Sequence, residues 1–212
     1  MSGKRKPDLK VIIMGDFAVG KTSLVCRYIE DVFKKHDTTI GAAFFLKQWG
    51  PYNVAVWDTA GDERYTGLSQ FYCRNAGAAI LAYDVTNPQS FESLWARFMP
   101  LIESATENCL KVVVGTKIDL LENDKRDITV EEGRKLAQEL NEGLDLSKLE
   151  GDPYFETSSK NGANVKEVFE YMFQYCLPLT GQQKQKYSSV KKDIVDLYET
   201  DSNSPRAKKA CC

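Results

Sequence analysis

Leu9-Lys-Val-Ile-Ile-Met-Gly15 is a strand-length apolar run ending on a glycine, and from that glycine the chain reads Gly15-Asp-Phe-Ala-Val-Gly20-Lys21-Thr22, which fits G-x-x-x-x-G-K-[ST]. A helical pattern follows at once over 21–31, with Leu24, Val25 and Tyr28 on one face. Strand, glycine loop and helix in this order make an anion site, because the loop N–H groups and the positive helix N-terminus converge on one point. A glycine-rich turn with no ligand matches the pattern by chance in roughly 1 % of chains of this length. The pattern predicts that Ala18, Val19, Gly20, Lys21, Thr22 and Ser23 wrap a phosphate group, with Lys21 on the β/γ-phosphates and the Thr22 hydroxyl on Mg²⁺.

The rest of the chain alternates in the same way. Apolar runs at 44–49, 52–58, 78–83, 110–115 and 154–156 read as strands, the first two joined at Gly50-Pro51. Helical patterns lie at 91–102, 130–140 and 165–177, and the acidic stretch 141–152 reads as a surface loop. Strands alternating with helices predict an α/β domain whose mostly parallel sheet is covered on both faces, with its ligand at the carboxyl ends of the strands. Beyond Leu177-Pro178 the pattern fails. Residues 182–212 are polar and rich in Ser and Lys, so they read as a flexible tail.

Composition excludes several classes. The 212 residues are 42 % hydrophobic and 27 % charged, which fits one globular domain. With 28 basic against 30 acidic residues and no basic block among aromatics, a nucleic-acid binder is excluded. No apolar run reaches the length of a bilayer span and the polar N-terminus shows no signal peptide, so a cytosolic chain is expected. Cys26, Cys73, Cys109 and Cys176 are widely spaced and read as buried free thiols. His36 is the only histidine, which leaves a zinc site or a His-activated nucleophile almost no residues to draw on.

Two short motifs follow the loop. Trp57-Asp58-Thr59-Ala60-Gly61 closes a strand with a carboxylate, where a second contact to Mg²⁺ is required. Thr116-Lys117-Ile118-Asp119 closes another; Asp119 can accept from the N1–H and amine of guanine, a donor pair that adenine lacks. With the loop, Thr39-Ile40-Gly41 and Glu156-Thr157-Ser158-Ser159-Lys160, these residues resemble the Ras superfamily of small GTPases, and within it the Rab family, over about residues 8–178 and at the Cys-Cys end.

The resemblance implies a P-loop NTPase small G domain, a six-stranded, mostly parallel sheet with helices on both faces, over 9–178. A short extension at 1–8 precedes it, and a flexible tail with a lipidation site follows at 179–212. It implies that Thr22, Thr39 and Asp58 hold Mg²⁺, the last through water, and that the Gly61 amide meets the γ-phosphate. Phe33 takes the place of the aromatic that stacks on guanine, with Thr116, Lys117 and Asp119 beneath the base and Ser158, Ser159 and Lys160 closing over it. Phe44, Trp57 and Tyr72 match the aromatic triad that Rab proteins show to effectors; taken without the family, they read as core aromatics. Cys211 and Cys212 resemble a doubly geranylgeranylated terminus, since two lipid chains anchor where one is marginal, with Lys208 and Lys209 adding attraction to anionic lipid.

The function implied is a GTP/GDP-switched regulator of vesicle and membrane trafficking. It is a monomer on the cytoplasmic side of intracellular membranes, with a cytosolic pool, and has effector, exchange and escort proteins as partners. Three departures qualify it. Asp62 replaces the glutamine that orients the attacking water, and a carboxylate only accepts hydrogen bonds and adds negative charge beside the γ-phosphate. Phe17 stands where the family carries a small residue and should crowd the water-positioning loop. Both predict slow intrinsic hydrolysis; the alternative is a GTP-binding interaction module that scarcely hydrolyses. Thr116 replaces an asparagine, and at least one hydrogen bond is expected to be lost there, with guanine preference kept by Asp119. A P-loop kinase would need a lid with several arginines, and the chain between the loop and Asp58 holds only Arg27.

Overall fold

A computed structural model describes residues 6–62, 71–102, 105–122 and 125–184. Six strands form one sheet: β1 (Leu9–Gly15), β2 (Ala42–Trp49), β3 (Tyr52–Thr59), β4 (Ala78–Asp84), β5 (Leu110–Thr116) and β6 (Tyr154–Glu156), in the order β2-β3-β1-β4-β5-β6. Only the β2–β3 pair is antiparallel; β1 pairs in parallel with both β3 and β4, and β5 with both β4 and β6. The β2–β3 hairpin is the pair the sequence joined at Gly50-Pro51. Because the chain leaves β1 on one side and returns through β4 on the other, the sheet changes direction at β1, whose carboxyl end is Gly15. An α/β sheet opens its ligand crevice at such a point.

Burial on both faces follows from the strand period of two. Along β1, Ile12 and Met14 face one layer and Val11 and Ile13 the other, all fully buried. The first layer packs Leu81 and Tyr83 of β4 against Leu94, Phe98 and Ile102 and against Leu136, Ala137 and Leu140. The second is covered by helix α1 (Lys21–Glu30), whose Tyr28 ring stacks on Phe169 of helix α4 (Val165–Cys176) at 4.0 Å.

Helix α2 runs over Pro88–Ser93 and passes through a π turn at Leu94–Phe98 into a last turn at Met99–Ile102. It starts three residues earlier than the periodicity indicates, because Asn87 caps it by accepting from the Ser90 N–H and Pro88 opens it. Pro100 has no N–H to offer Ala96 and its ring crowds that carbonyl, which accounts for the wide turn just before it. Helix α3 (Val130–Leu140) opens on a capping box between Thr129 and Glu132.

The surface loop expected at 141–152 begins differently. Asn141 is buried: its side chain accepts from the Lys111 N–H at 2.9 Å and donates to the Lys111 and Ala137 carbonyls at 2.7 Å. Strand β6 spans only three residues and pairs with Val113–Gly115, so Asn141 supplies the hydrogen bonds that β6 is too short to give Lys111. Cys26, Cys73 and Cys109 are buried free thiols, and burial pushes the Cys73 thiol up to about 11; Cys176 is half-buried.

The chain divides into two units, Met1–Pro178 and Leu179–Cys212. Of the second, 179–184 are described: Thr180 and Gln183 cap a single helical turn reciprocally. The expected tail beyond it, with Lys208, Lys209, Cys211 and Cys212, lies outside the described residues.

Candidate functional site

The loop 15–20 takes its shape from backbone constraints. Gly15 has φ +149°, and a Cβ there would lie 2.1 Å from the Ala82 carbonyl oxygen of the neighbouring strand, so only glycine fits between β1 and β4. Ala18 adopts a left-handed φ of 58° at the crest, Val19 is buried beneath it, and α1 begins as the Leu24 N–H reaches the Gly20 carbonyl. A cleft of about 420 Å³ opens above the loop, lined by Phe17, Ala18, Gly20, Lys21, Thr22 and Ser23 on one side, 33–39 on the other, and Thr59 and Gly61 at the end of β3.

Lys21 lies at its floor, 6 % exposed, donating to the Gly15 and Asp16 carbonyls at 2.9 and 2.8 Å. Burial lowers its pKa to about 8, against the pull of Asp58 and Asp16. This ammonium is desolvated and its two hydrogen bonds go to carbonyl oxygens, an arrangement that an anionic phosphate improves. The P-loop carboxylate Asp16 is tied down in turn: it accepts from the Phe17 N–H at 2.8 Å, the Ser93 hydroxyl at 3.0 Å and the Arg97 guanidinium at 2.8 Å, and Arg97 also reaches the Gly61 carbonyl at 3.4 Å. Arg97 carries no signal in the sequence; the π turn of α2 presents it to the loop.

The three oxygens expected to hold a metal meet beside Lys21. The Thr22 hydroxyl donates to Asp58 Oδ2 at 2.7 Å and lies 3.0 Å from the Thr39 hydroxyl, which is itself 3.4 Å from Oδ2. They come from α1, the segment before β2 and the end of β3. Asp58 is fully buried, which pushes its carboxyl up, with Thr22 working against the shift, and its Oδ1 is left without a partner among the described residues. Two hydroxyls and one carboxylate, whose Oδ1 is buried and unpartnered among the described residues, suit Mg²⁺ beside a phosphate loop, since the ion takes few protein ligands and completes its octahedron from phosphate and water. His36, expected in a polar loop, lines the same cleft with its Nε2 buried and unpartnered among the described residues.

A second cavity of about 220 Å³ shares Ala18, Gly20, Ser23 and Phe33 with the first and extends to Thr116, Lys117, Asp119, Leu120, Ser159 and Lys160. Phe33 is 52 % exposed at its edge, placed to lie against a flat ligand. The Ser158 hydroxyl donates to Asp119 Oδ1 at 2.6 Å, and the Lys160 ammonium lies 3.8 Å from Oδ2, so the carboxylate is oriented from above. Lys117 has a left-handed φ of 63° and pairs with Asp84 at 2.7 Å.

Thr116, where the loss of at least one hydrogen bond is expected, keeps one contact to the phosphate loop. Its hydroxyl is buried 2.6 Å from the Val19 carbonyl and 2.8 Å from that of Tyr83, so the tie between β5 and the phosphate loop is kept by a shorter side chain. One proton serves two acceptors.

Phe44, Trp57 and Tyr72 form a continuous run: Phe44 is 53 % exposed, Trp57 and Tyr72 are half-buried, and the ring centroids lie 5.1 Å (Phe44–Trp57) and 5.3 Å (Trp57–Tyr72) apart. Phe44 and Trp57 are register partners in the β2–β3 hairpin. The core expected for these aromatics without the family holds in part for Trp57, which packs against the buried cluster, and not for Phe44. Asp62 follows Gly61 at the last described position of its segment.

Residues 10–177 match the family model described as the Ras family. Among curated proteins, the chain is 37 % identical to human Ras-related protein Rab-20 over 98 % of this chain and 99 % of that one. It is 32 % identical to mouse Ras-related protein Rab-31 over 97 % of each, and 38 % identical to Arabidopsis thaliana Ras-related protein RABF2b over 79 % and 80 %.

Proposed function

Because the chain belongs to the Ras family, as a divergent member of its Rab branch, we propose that the two adjoining cavities hold a guanine nucleotide, with its phosphates over 15–23 and its base between Phe33 and Asp119. Membership carries GTP binding with Mg²⁺, hydrolysis to GDP and phosphate, and work in membrane trafficking. The observation that supports this assignment of residues is the convergence of Thr22, Thr39 and Asp58 from three separate elements beside the buried Lys21.

In this reading the loop amides and Lys21 bind the β- and γ-phosphates, and Lys21 exchanges its two carbonyl contacts for phosphate oxygens. Thr22 and Thr39 present their hydroxyls to Mg²⁺ and Asp58 its carboxylate, through water. The ion, when bound, neutralises charge shared by the β- and γ-phosphates. Thr39 and Gly61 flank the γ-phosphate, so loss of that phosphate releases both of their segments, which is the switch. Asp119 takes the N1–H and amine of the base, and Ser158 keeps its carboxylate aimed. The Phe44–Trp57–Tyr72 run beside these segments, exposed at Phe44, is the surface an effector reads.

Two finer features belong to the same proposal. Hydrolysis is slow, because Asp62 can only accept from the attacking water and repels the γ-phosphate, while Phe17, 56 % exposed, stands at the mouth of the phosphate cavity. The chain is held on intracellular membranes by prenylation of Cys211 and Cys212; no helix among the described residues is long and apolar enough to cross a membrane.

Denaturing freshly purified protein and identifying the released nucleotide by chromatography tests the proposal. GTP as the main species is expected. GDP as the main species overturns slow hydrolysis, and the absence of any guanine nucleotide, with none taken up on incubation, overturns the site assignment.

A further inference from the structure

Helix α1 begins at the phosphate loop and ends beside the loop at 158–160, and one side chain spans the gap. Arg27 donates through Nε to the Ser159 carbonyl at 2.7 Å and through Nη2 to the Lys160 carbonyl at 2.8 Å. Its Nη1 takes the Asp31 carbonyl and Oδ1, both at 3.0 Å. The side chain is only 17 % exposed, whereas its carboxylate partner is 92 % exposed. The Asp31 ion pair is therefore screened and weak, and of the two carbonyl contacts the one to Ser159 is the more sheltered.

We propose that Arg27 is a positioning residue for recognition of the nucleobase: a guanidinium clamp that fixes the loop at 158–160 to the helix carrying Thr22. A trans peptide sets its N–H opposite its C=O, so turning the Ser159 carbonyl to Arg27 turns the Lys160 N–H away from it. The same contacts hold Ser158, whose hydroxyl aims Asp119, and Lys160, whose ammonium stands over that carboxylate. Residues 132 and 133 positions from Arg27 in sequence are thus locked to the helix that grips the phosphates, and the two ends of the nucleotide site move as one body. Only the planar fork of arginine reaches both carbonyls while holding Asp31; a lysine at this position satisfies one of them.

The inference rests on the nucleotide reading of the site, and the test separates the two. The full-length chain is loaded with GDP labelled on the ribose, and release is followed by fluorescence on adding excess GDP, for wild type, Arg27→Met, Arg27→Lys and Asp31→Ala. Arg27→Met is expected to release about tenfold faster, equivalent to about 1.4 kcal/mol, with Arg27→Lys in between and Asp31→Ala within about twofold of wild type. A merely structural lesion would loosen the phosphate end too. The acceleration of release by EDTA, which reports Thr22, Thr39 and Asp58, and the single-turnover hydrolysis rate are therefore expected to stay unchanged. Release from Arg27→Met at the wild-type rate overturns the clamp, as does an equal loss of EDTA sensitivity. Should Arg27→Met fail to fold, Arg27→Lys decides on the same criteria. A wild-type chain that binds no labelled GDP overturns the nucleotide reading itself, and the clamp with it.

Discussion

The Thr116 hydroxyl lies 2.6 Å from the carbonyl oxygen of Val19, joining the end of β5 to the crest of the phosphate loop across 97 residues of sequence. Its one proton is shared at a buried point between two carbonyls. Thr116→Val keeps the shape and removes that proton, and a buried acceptor left unpaired costs about 1–3 kcal/mol. Guanine nucleotide affinity should fall roughly tenfold or more in a competition assay. The preference for GDP over ADP should survive, because Asp119 is untouched.

Asp62 and Phe17 act on the same step by different means, one electrostatic and one steric. Asp62→Gln restores a group that both donates and accepts, and should raise the single-turnover GTP hydrolysis rate by about tenfold or more. The gain stays partial while Phe17 occupies the mouth of the cleft. Adding Phe17→Gly should raise the rate again; full recovery with Asp62→Gln alone shows that crowding plays no part.

Gly61 lies against the loop so closely that a Cβ would stand 2.5 Å from both the Asp16 carbonyl oxygen and Lys21 Nζ. Gly61→Ala therefore keeps this segment from closing over a γ-phosphate while leaving the GDP pose open. GTP affinity should drop well below GDP affinity, read by displacement of a labelled GDP. The melting temperature should fall modestly as well, since one clashing atom is a backbone oxygen and the segment must shift to relieve it.

Two ion pairs support the base end. Glu156 is held below the usual glutamate range: burial opposes its ionisation, but hydrogen bonds from Arg126 and Tyr154 outweigh it. Asp84 is lowered in the same sense, burial again being outweighed, there by Lys117 and Thr86. A depressed carboxylate pKa contributes stability that is complete above the unfolded value and is lost as pH falls through the folded one. Below about pH 4.5, the ordinary glutamate value, nucleotide release should accelerate and the melting temperature fall. Arg126→Gln, which removes the Glu156 partner, should flatten part of that dependence in a thermal-melt series across pH.

Much of the architecture was legible because it rests on local rules. The bounds of β1 and β6, the β2–β3 hairpin and the run of α3 follow from apolar period and turn residues. The start of α2 was missed because an Asn-Pro cap outranks apolar spacing at a helix end. Asn141 was taken for loop because its partner, the backbone of Lys111 left uncovered by a short β6, is thirty positions away in sequence. Phe44, Trp57 and Tyr72 illustrate a different limit. Hydrophobicity places aromatics inside; the strand register sets Phe44 beside Trp57, and a ring contact brings Tyr72 to Trp57 from outside the sheet.

The sequence by itself determined the order of strands and helices, the phosphate loop and the residue types able to meet a phosphate, a divalent cation and a guanine, since each is a short pattern whose chemistry is local. Tertiary structure alone decided how those patterns meet. Parallel pairing around β1 carries Thr22, Thr39 and Asp58 to within 3.4 Å of one another, a π turn aims Arg97 at Asp16, and α1 brings Arg27 to the carbonyls of Ser159 and Lys160. The physical reason is that a directional contact between distant residues leaves no periodic trace in the chain; it exists only once sheet register and helix packing have fixed where each backbone runs.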